Sequence, residues 1–425
     1  MSQTKSAALV AQAELVRPAR LTKSLESFAA LRDGFNTDSQ DRFRYYRPWA
    51  QALNAANVHI TVRPEEISAA TDAYKEVGEH LAANLSWPRD SILIQPQGSV
   101  STQTLIRSPN GNEKFDIDAV CQVDISHVEA ADPMGFFQSV GFALQELEAE
   151  AKKRCWNIPF TKQPFYLEFT PSVPMESVSI QTQGVMAPRY RAAQQYDKTA
   201  LAVVDTPTKS WKTSNPAGMT KWVDDTAKRS LIQTVAVESF AVGRARADIA
   251  PVPEQTVEIT DTLRVAIRLF KRHRDMCVRR SVISPETKPI SIIIVTLLTA
   301  CYEGLADLNR TFEHPVELMD ELAALMPHLL LKIGNEYHID NPTVEGENFA
   351  EKWNHDGGER YRSFITWCKV LSADLKTILA LTDPQAISKR VHEVFGIPVP
   401  TSGDVGLHTM KPPTLKVPPA GRGLA

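Results

Sequence analysis

The sequence predicts an α+β chain, with a mixed sheet and flanking helices in its first half and an α-helical bundle in its second. Three observations carry this. Strand-like alternation, with apolar residues at every second position, ends with residues 177–183. From residue 257 to residue 395 the apolar side chains recur at helical spacing, with only short loops between. Ala250-Pro-Val-Pro253 separates the two patterns. Residues 1–250 are therefore expected to form one lobe and residues 251–397 a second. Residues 398–425 form a Pro- and Gly-rich tail with too little apolar surface to order itself.

Taken in order, residues 22–85 read as helical, with a break near Arg63-Pro64. Residues 91–96 read as a strand and 99–107 as a helix. Pro109-Asn-Gly111 reverses the chain. Residues 114–125 alternate as a strand, and residues 133–153 place Phe136, Phe137, Val140, Leu144 and Leu147 on one side of a helix. Residues 161–170 form a further strand, which Pro171 and Pro174 are expected to end because proline cannot donate to a ladder. Residues 177–183 are expected to form another.

Composition narrows the function classes. The 425 residues suffice for two cores, and 43% hydrophobic with 23% charged residues is ordinary for a soluble globular protein. A net charge of −3 argues against a general polyanion-binding surface, so no stable DNA binding is expected. The five cysteines form no C-x-x-C pair and are odd in number, which suits a reducing cytoplasm and argues against a disulfide framework or a structural zinc. The N-terminus lacks a secretory apolar core, and the longest apolar run, residues 292–301, is too short to span a bilayer and reads as a buried helix. No membrane association is expected.

The chemistry is concentrated in Gln97-Gly-Ser99 and Phe115-Asp-Ile-Asp118. On a strand, Asp116 and Asp118 point to one face while Ile117 points into the core. Two carboxylates on one rigid face can hold two divalent cations roughly 3.5–4 Å apart, the spacing that in-line phosphoryl transfer uses. Glycine and serine opening a helix offer free N–H groups and a hydroxyl to a triphosphate. Together they read as nucleotidyl transfer. A third carboxylate is expected from a neighbouring strand. Asp124 has the right parity but lies roughly 20 Å beyond Asp118 along the strand. Glu168 is the better candidate, sharing a face with Tyr166 and Thr170, and could take the proton of an attacking hydroxyl.

Residues 261–276 read as a helix buried through Leu263, Ile267, Phe270 and Cys277. Arg264, Arg268, Lys271 and Arg272 form a basic ridge expected to be solvated, except for Lys271, which is expected to face a cleft and contact phosphate. His273 is expected to be a surface or locally satisfied histidine.

These residues resemble the cGAS/DncV-like nucleotidyltransferases (CD-NTases) of bacterial CBASS anti-phage systems. Four stretches between residues 90 and 355 carry the resemblance. They are Gln97-Gly-Ser99 with Asp116-Ile-Asp118; Trp211-Lys-Thr-Ser-Asn-Pro-Ala-Gly218 with Trp222; Leu269-Phe-Lys-Arg-His-Arg-Asp275 with Lys288-Pro-Ile-Ser-Ile-Ile292; and Ile339-Asp-Asn-Pro342 with Asn348-Phe-Ala-Glu-Lys-Trp353. The first is shared with the whole polymerase-β-like superfamily, and the others narrow the match. The resemblance implies a polymerase-β-like lobe, an α-helical lobe and an active site in the cleft between them. It implies a Mg²⁺- or Mn²⁺-dependent enzyme that joins ATP, and possibly GTP or other NTPs, into a cyclic di- or trinucleotide that activates an effector. By position, Gln97, Gly98 and Ser99 would hold the donor triphosphate, Asp116, Asp118 and Glu168 the metals, and Lys271 and Ser291 phosphates from the helical lobe. The family's third carboxylate is usually aspartate before x-x-Pro, whereas Glu168-Phe-Thr-Pro171 stands here. The His/Cys zinc cluster of the DNA-sensing animal relatives is missing from the sequence. Some bacterial systems encode an E1/E2-like conjugation enzyme, which here would act on the C-terminal Ala425.

Two other functions fit a nucleotidyltransferase sequence. One transfers nucleotides to RNA or protein, and a broad basic surface would favour it. The other is a catalytically degenerate binding module, which the retention of Asp116, Asp118 and Glu168 disfavours.

Overall fold

The computed structural model describes residues 4–16, 39–85, 87, 91–109, 113–186, 191–232 and 252–398. The Pro109-Asn-Gly111 turn lies partly outside them, and the tail with Ala425 lies wholly outside from residue 399 onward.

The helices are α1 (Lys5–Val16), α2 (Ser39–Ile60), α3 (Pro64–Leu85), α4 (Gly98–Ser101), α5 (Pro133–Ala143), α6 (Ile180–Met186), α7 (Pro216–Ala227), α8 (Thr262–Arg279), α9 (Ser291–Asp307), α10 (Pro315–Leu325), α11 (Glu359–Leu379) and α12 (Pro384–Phe395). The strands are β1 (Ile92–Pro96), β2 (Phe115–Val123), β3 (Glu150–Ala151), β4 (Trp156–Ile158), β5 (Phe165–Pro174), β6 (Arg191–Ala192), β7 (Leu201–Asp205), β8 (Ser210–Ser214), β9 (Leu331–Ile333), β10 (Glu336–His338) and β11 (Val344–Glu345).

Seven strands form one mixed sheet in the order β1-β2-β5-β4-β3, with β7 and β8 continuing from the far half of β5. β2 and β5 run parallel, and every other pairing in this sheet is antiparallel. β5 does not end at Pro171. It changes partner there, from β4 (last paired at Phe169) to β7 (first paired at Ser172). Pro171 falls in that gap and Pro174 at the final pair, where a missing N–H costs least.

Several expected elements differ. The helix after β1 is a single short turn, Gly98–Ser101, and the chain then turns at Thr102 and Gln103 and runs without regular structure to residue 107. The helix from Pro133 stops at Ala143, followed by a 3₁₀ turn and β3, so Leu147 is only partly buried against the core. Residues 177–183 are not a strand. The Ser179 Oγ accepts from the Thr182 N–H at 3.2 Å and starts α6 instead. The second half is not purely helical, since β9 and β10 form a small hairpin and β11 pairs with β6.

Two hydrophobic cores organise the chain. One lies on the sheet and includes Tyr74 and Leu81 of α3, Phe136 and Phe137 of α5, and Ile117, Phe165, Leu167 and Phe169 of the strands. The other lies among α8–α12 and includes Phe270, Leu298, Trp367 and Phe395. Val10 of α1, Trp49 and Leu53 of α2, and Trp222 of α7 belong to this second core. The expected division at residue 250 is therefore corrected, because the N-terminal helices fold onto the helical lobe. Their apolar faces find partners there, and the Trp49 Nε1 donates to the Ile378 carbonyl at 3.0 Å.

His314 contributes to this core and caps α10. Its Nδ1 accepts from the Val316 N–H at 3.2 Å, and its ring stacks on Tyr46 at 4.8 Å. Burial pushes its pKa down to about 4. A histidine whose folded pKa lies below its unfolded value contributes stability that is full above about pH 6.5 and is lost as pH falls toward 4. Stability to urea should therefore drop over this window, with His314 supplying on the order of 2–3 kcal/mol of the loss. His314→Asn keeps a capping acceptor and should flatten the drop between pH 7 and 4.5. An unchanged pH slope in that variant would refute the assignment.

Candidate active site

A cleft of about 740 Å³ lies between the lobes. Its floor is the sheet edge where β1 turns into α4. β1 pairs with β2 up to Pro96 opposite Ala119, and the Gln97 N–H donates to the Asp118 carbonyl at 3.0 Å. The Gly98-Ser99 turn therefore starts beside the second aspartate. Gly98 has φ +61°, and a Cβ on it would collide with the Asp118 carboxylate. Glycine is required here for both reasons.

β2 places its residues as its alternation predicts. Phe115, Ile117 and Ala119 are buried, whereas Asp116 is exposed and Asp118 half-buried on the cleft side. The parallel pairing with β5 sets Asp118 opposite Glu168, so the three carboxylates share one face of two adjacent strands. Their charges interact. The Asp118 carboxyl is raised well above its ordinary range, first by burial, then by Asp116 and Glu168, with Lys271 opposing. Glu168 is raised by burial and by Asp116. Among the described residues no three His, Cys, Asp or Glu side chains are gathered closely enough to hold one ion. The donor chemistry nonetheless suits a hard divalent cation: carboxylate oxygens only, with a concentrated negative charge to neutralise. Asp124 is directed elsewhere and accepts from the Ser177 Oγ at 3.2 Å. Cys155, near Glu168 and Asp118, is pushed up to about 12 by burial and those charges, so its thiol stays protonated at neutral pH.

Gln97 lines the cleft, but its side chain is turned into the sheet, donating to the Ala119 carbonyl at 3.4 Å and the Thr170 Oγ1 at 3.2 Å. Its part is to fix the turn. Ser99 lines the cleft. The opposite wall is α8 and the start of α9. Lys271 is buried at the cleft and donates to the Thr104 carbonyl at 2.9 Å. Burial and then Arg274 pull its pKa down to about 8, against Asp116, Asp275 and Asp118. Ser291 opens α9, and its Oγ accepts from the Arg274 Nη1 at 3.2 Å.

The expected solvated ridge is overturned, since Arg264, Arg268 and Arg272 are all buried, with 0% exposure at Arg268. His273 is satisfied as expected, receiving a hydrogen bond from the Trp367 Nε1 at 3.1 Å and meeting Asp374 at 3.2 Å. The cleft also recruits residues that the sequence reading did not single out. Asn215 caps α7 by accepting from the Gly218 N–H at 2.9 Å, and only glycine fits beneath that amide. Arg274, Asp275, Val278 and Arg279 line the cleft one and two turns beyond Lys271. Their recurrence at helical spacing from Lys271 is the signal that could have found them.

The mixed sheet, the Gly-Ser turn beside paired aspartates and the helical lobe across a cleft define a two-lobed nucleotidyltransferase fold. No protein-family model matches the chain. The chain is 28% identical over 287 residues to a c-di-GMP synthase of Roseivirga ehrenbergii, a match spanning 65% of each protein. Its structure is similar to that of the Bradyrhizobium diazoefficiens CD-NTase CdnG in complex with GTP, with a TM-score of 0.54 and 15% identity over 81% of this chain and 96% of that one. It is also similar to E. coli MS115-1 CdnC with ATP, with a TM-score of 0.52 and 11% identity over 83% and 97% of the two chains. The chain therefore has the CD-NTase fold, the one its sequence motifs resemble.

Gly98→Ala should place a methyl group against the Asp118 carboxylate and strain a left-handed backbone. Nucleotide-dependent activity should fall by about 100-fold or more while the melting temperature changes by only a few degrees. Near-wild-type activity would show that the close approach is unnecessary.

Proposed function

We propose that the protein is a metal-dependent nucleotidyltransferase that makes a cyclic di- or trinucleotide from NTPs. The observation that carries this reading is the pair Asp116 and Asp118 lining the cleft with the Gly98-Ser99 turn and Lys271, with Glu168 in register opposite Asp118 on the adjacent strand. The c-di-GMP synthase relative and the nucleotide-bound CD-NTase neighbours support the substrate class.

In this reading Gly98 and Ser99 cradle the donor triphosphate, and Lys271 and Ser291 contact phosphates from the helical lobe. Asp116, Asp118 and Glu168 would hold Mg²⁺ or Mn²⁺, which when bound would neutralise the charge gathered on the phosphates and carboxylates. The acceptor hydroxyl oxygen bonds to the donor α-phosphorus, and the bond from that phosphorus to the departing pyrophosphate breaks. In this reading Glu168, whose pKa is raised by burial and by Asp116, would take the hydroxyl proton. A second transfer in the same cleft closes the ring. An effector reached through the cyclic product, and a conjugation enzyme acting on Ala425, belong to the same reading on the resemblance alone.

Purified protein incubated with Mg²⁺ or Mn²⁺ and labelled NTPs should give a phosphatase-resistant cyclic product. Asp116→Ala with Asp118→Ala should abolish it while the melting temperature holds or rises, because two repelling carboxylates leave a confined face. Label transferred to RNA or protein would favour the alternative acceptor, and no label at all a degenerate binding module.

Glu168→Gln keeps size and loses charge, so turnover should fall by on the order of 100-fold. Glu168→Asp, which restores the family's usual residue, should keep part of the activity. Unaffected single-turnover rates in Glu168→Gln would move the third carboxylate elsewhere.

A further inference from the structure

Cations outnumber obvious partners along the helical wall of the cleft, and their bonding separates them into two kinds. Lys271 donates to the Thr104 carbonyl at 2.9 Å, and Arg274 is paired with Asp275 at 2.7 Å. On the facing side, Lys114 donates to the Pro159 and Phe160 carbonyls at 2.7 and 3.0 Å, and Arg107 reaches Glu66 at 3.5 Å. Each of these charges already has a partner within the fold. Arg279 and Lys288 also line the cleft, yet neither has an ion-pair or hydrogen-bond partner among the described residues.

Their place in the fold is distinct from that of the carboxylates. Lys271 is the α8 residue whose charge interacts with Asp116 and Asp118. Arg279 follows eight residues later on the same face, roughly 12 Å further along the helix axis. Lys288 precedes Pro289, whose carbonyl accepts from the Arg274 Nη1 at 3.0 Å, so it joins α8 between those two levels. Of the other acids lining the cleft, Asp275 is paired with Arg274 and Glu347 with Lys212, while Glu113 accepts from the neutral Ser108 hydroxyl. The inner end of the cleft thus carries the paired aspartates, and further along α8 stand two cations, Arg279 and Lys288, with no ion pair or hydrogen bond to a described residue.

We propose that Arg279 and Lys288 form a second polyanion station, which receives the 5′-triphosphate of the acceptor nucleotide. This assignment rests on the reading of the cleft as a nucleotidyltransferase site. In that reaction the acceptor presents its hydroxyl at the carboxylates, and its own triphosphate must lie away from them, outward along the cleft. The station suits a temporary hold. Arg279 is exposed and Lys288 half-buried, so both stay hydrated and bind phosphate less tightly than a desolvated cation would. After the first transfer this triphosphate has to leave the outer station and reach the inner end, where it becomes the donor for ring closure. A weak outer site permits that turn.

Two measurements test the station. The first needs no catalysis: calorimetric titration of the full chain with inorganic tripolyphosphate in EDTA. Wild type should bind, Arg279→Ala/Lys288→Ala should lose about tenfold or more in affinity, and Asp116→Ala/Asp118→Ala should keep it. Equal binding by wild type and Arg279→Ala/Lys288→Ala, or no binding by wild type, overturns the proposal. The second uses the labelled 2′,3′-dideoxy form of each NTP in turn, which can donate but not accept, with each NTP or its monophosphate as acceptor. Wild type should half-saturate at about tenfold lower acceptor NTP than the matching monophosphate, and in Arg279→Ala/Lys288→Ala the two values should converge with the maximal rate of the first transfer kept. A preference for the triphosphate over the monophosphate that survives the double substitution rejects the assignment. Tripolyphosphate binding that behaves as expected in a wild-type protein that transfers from none of the four NTPs would instead overturn the nucleotidyltransferase reading and leave the anion station standing.

Discussion

One helix sets the relation between the two lobes, and it does so with buried cations bonded to backbone carbonyls. From α8, the Arg264 Nε donates to the Thr102 carbonyl at 2.9 Å, the Lys271 Nζ to Thr104 at 2.9 Å and the Arg272 Nη1 to Arg107 at 3.2 Å. Those carbonyls belong to the segment that follows the Gly-Ser turn. Arg268, fully buried, reaches the Gln255 carbonyl at 3.1 Å, and Arg272 also holds the end of α12 through the Phe395 carbonyl at 2.8 Å. Burying a cation is costly unless its donors are satisfied. Burial pulls both Arg268 and Arg272 down to about 10, which shows how strongly each site is desolvated. The arrangement persists because each guanidinium ties together segments distant in sequence, and losing any one contact leaves a charge stranded. The position of Lys271 over the aspartates follows from this framework.

The site runs against the stability of the lobe that carries it. Asp116, Asp118 and Glu168 repel one another on a partly desolvated face, and Gly98 holds a left-handed backbone against one of them. The surrounding fold supplies the constraint. The Tyr74 hydroxyl donates to the Asp118 carbonyl at 2.9 Å, and the Gln97 side chain is locked into the sheet. Ser101 and Thr220 join the turn to α7 through their hydroxyls at 2.7 Å. A cleft built this way favours positive charge at its inner end, and Lys271 supplies some of it from the helical wall.

The sequence by itself determined the strands that carry the acids. Period-two alternation in Phe115–Val123 and in the first part of Phe165–Pro174 dictates which side chains face the core, and Gly98 before Ser99 announces a turn that only glycine can make. The buried character of the helix Ser291–Asp307 was equally legible, because a run of apolar residues has one stable environment in a folded chain. Tertiary structure decided the rest. Whether Glu168 meets Asp118 depends on a parallel register across some fifty residues of intervening chain, which no local pattern encodes. The arginines of Thr262–Arg279 read as solvated because charge on a helix face usually is. Carbonyls from residues 102–107, 255 and 395 made burial possible, and those partners are invisible in a one-dimensional pattern. For the same reason α1 and α2, adjacent in sequence to the sheet lobe, fold onto the other core, since apolar faces go where complementary surface lies.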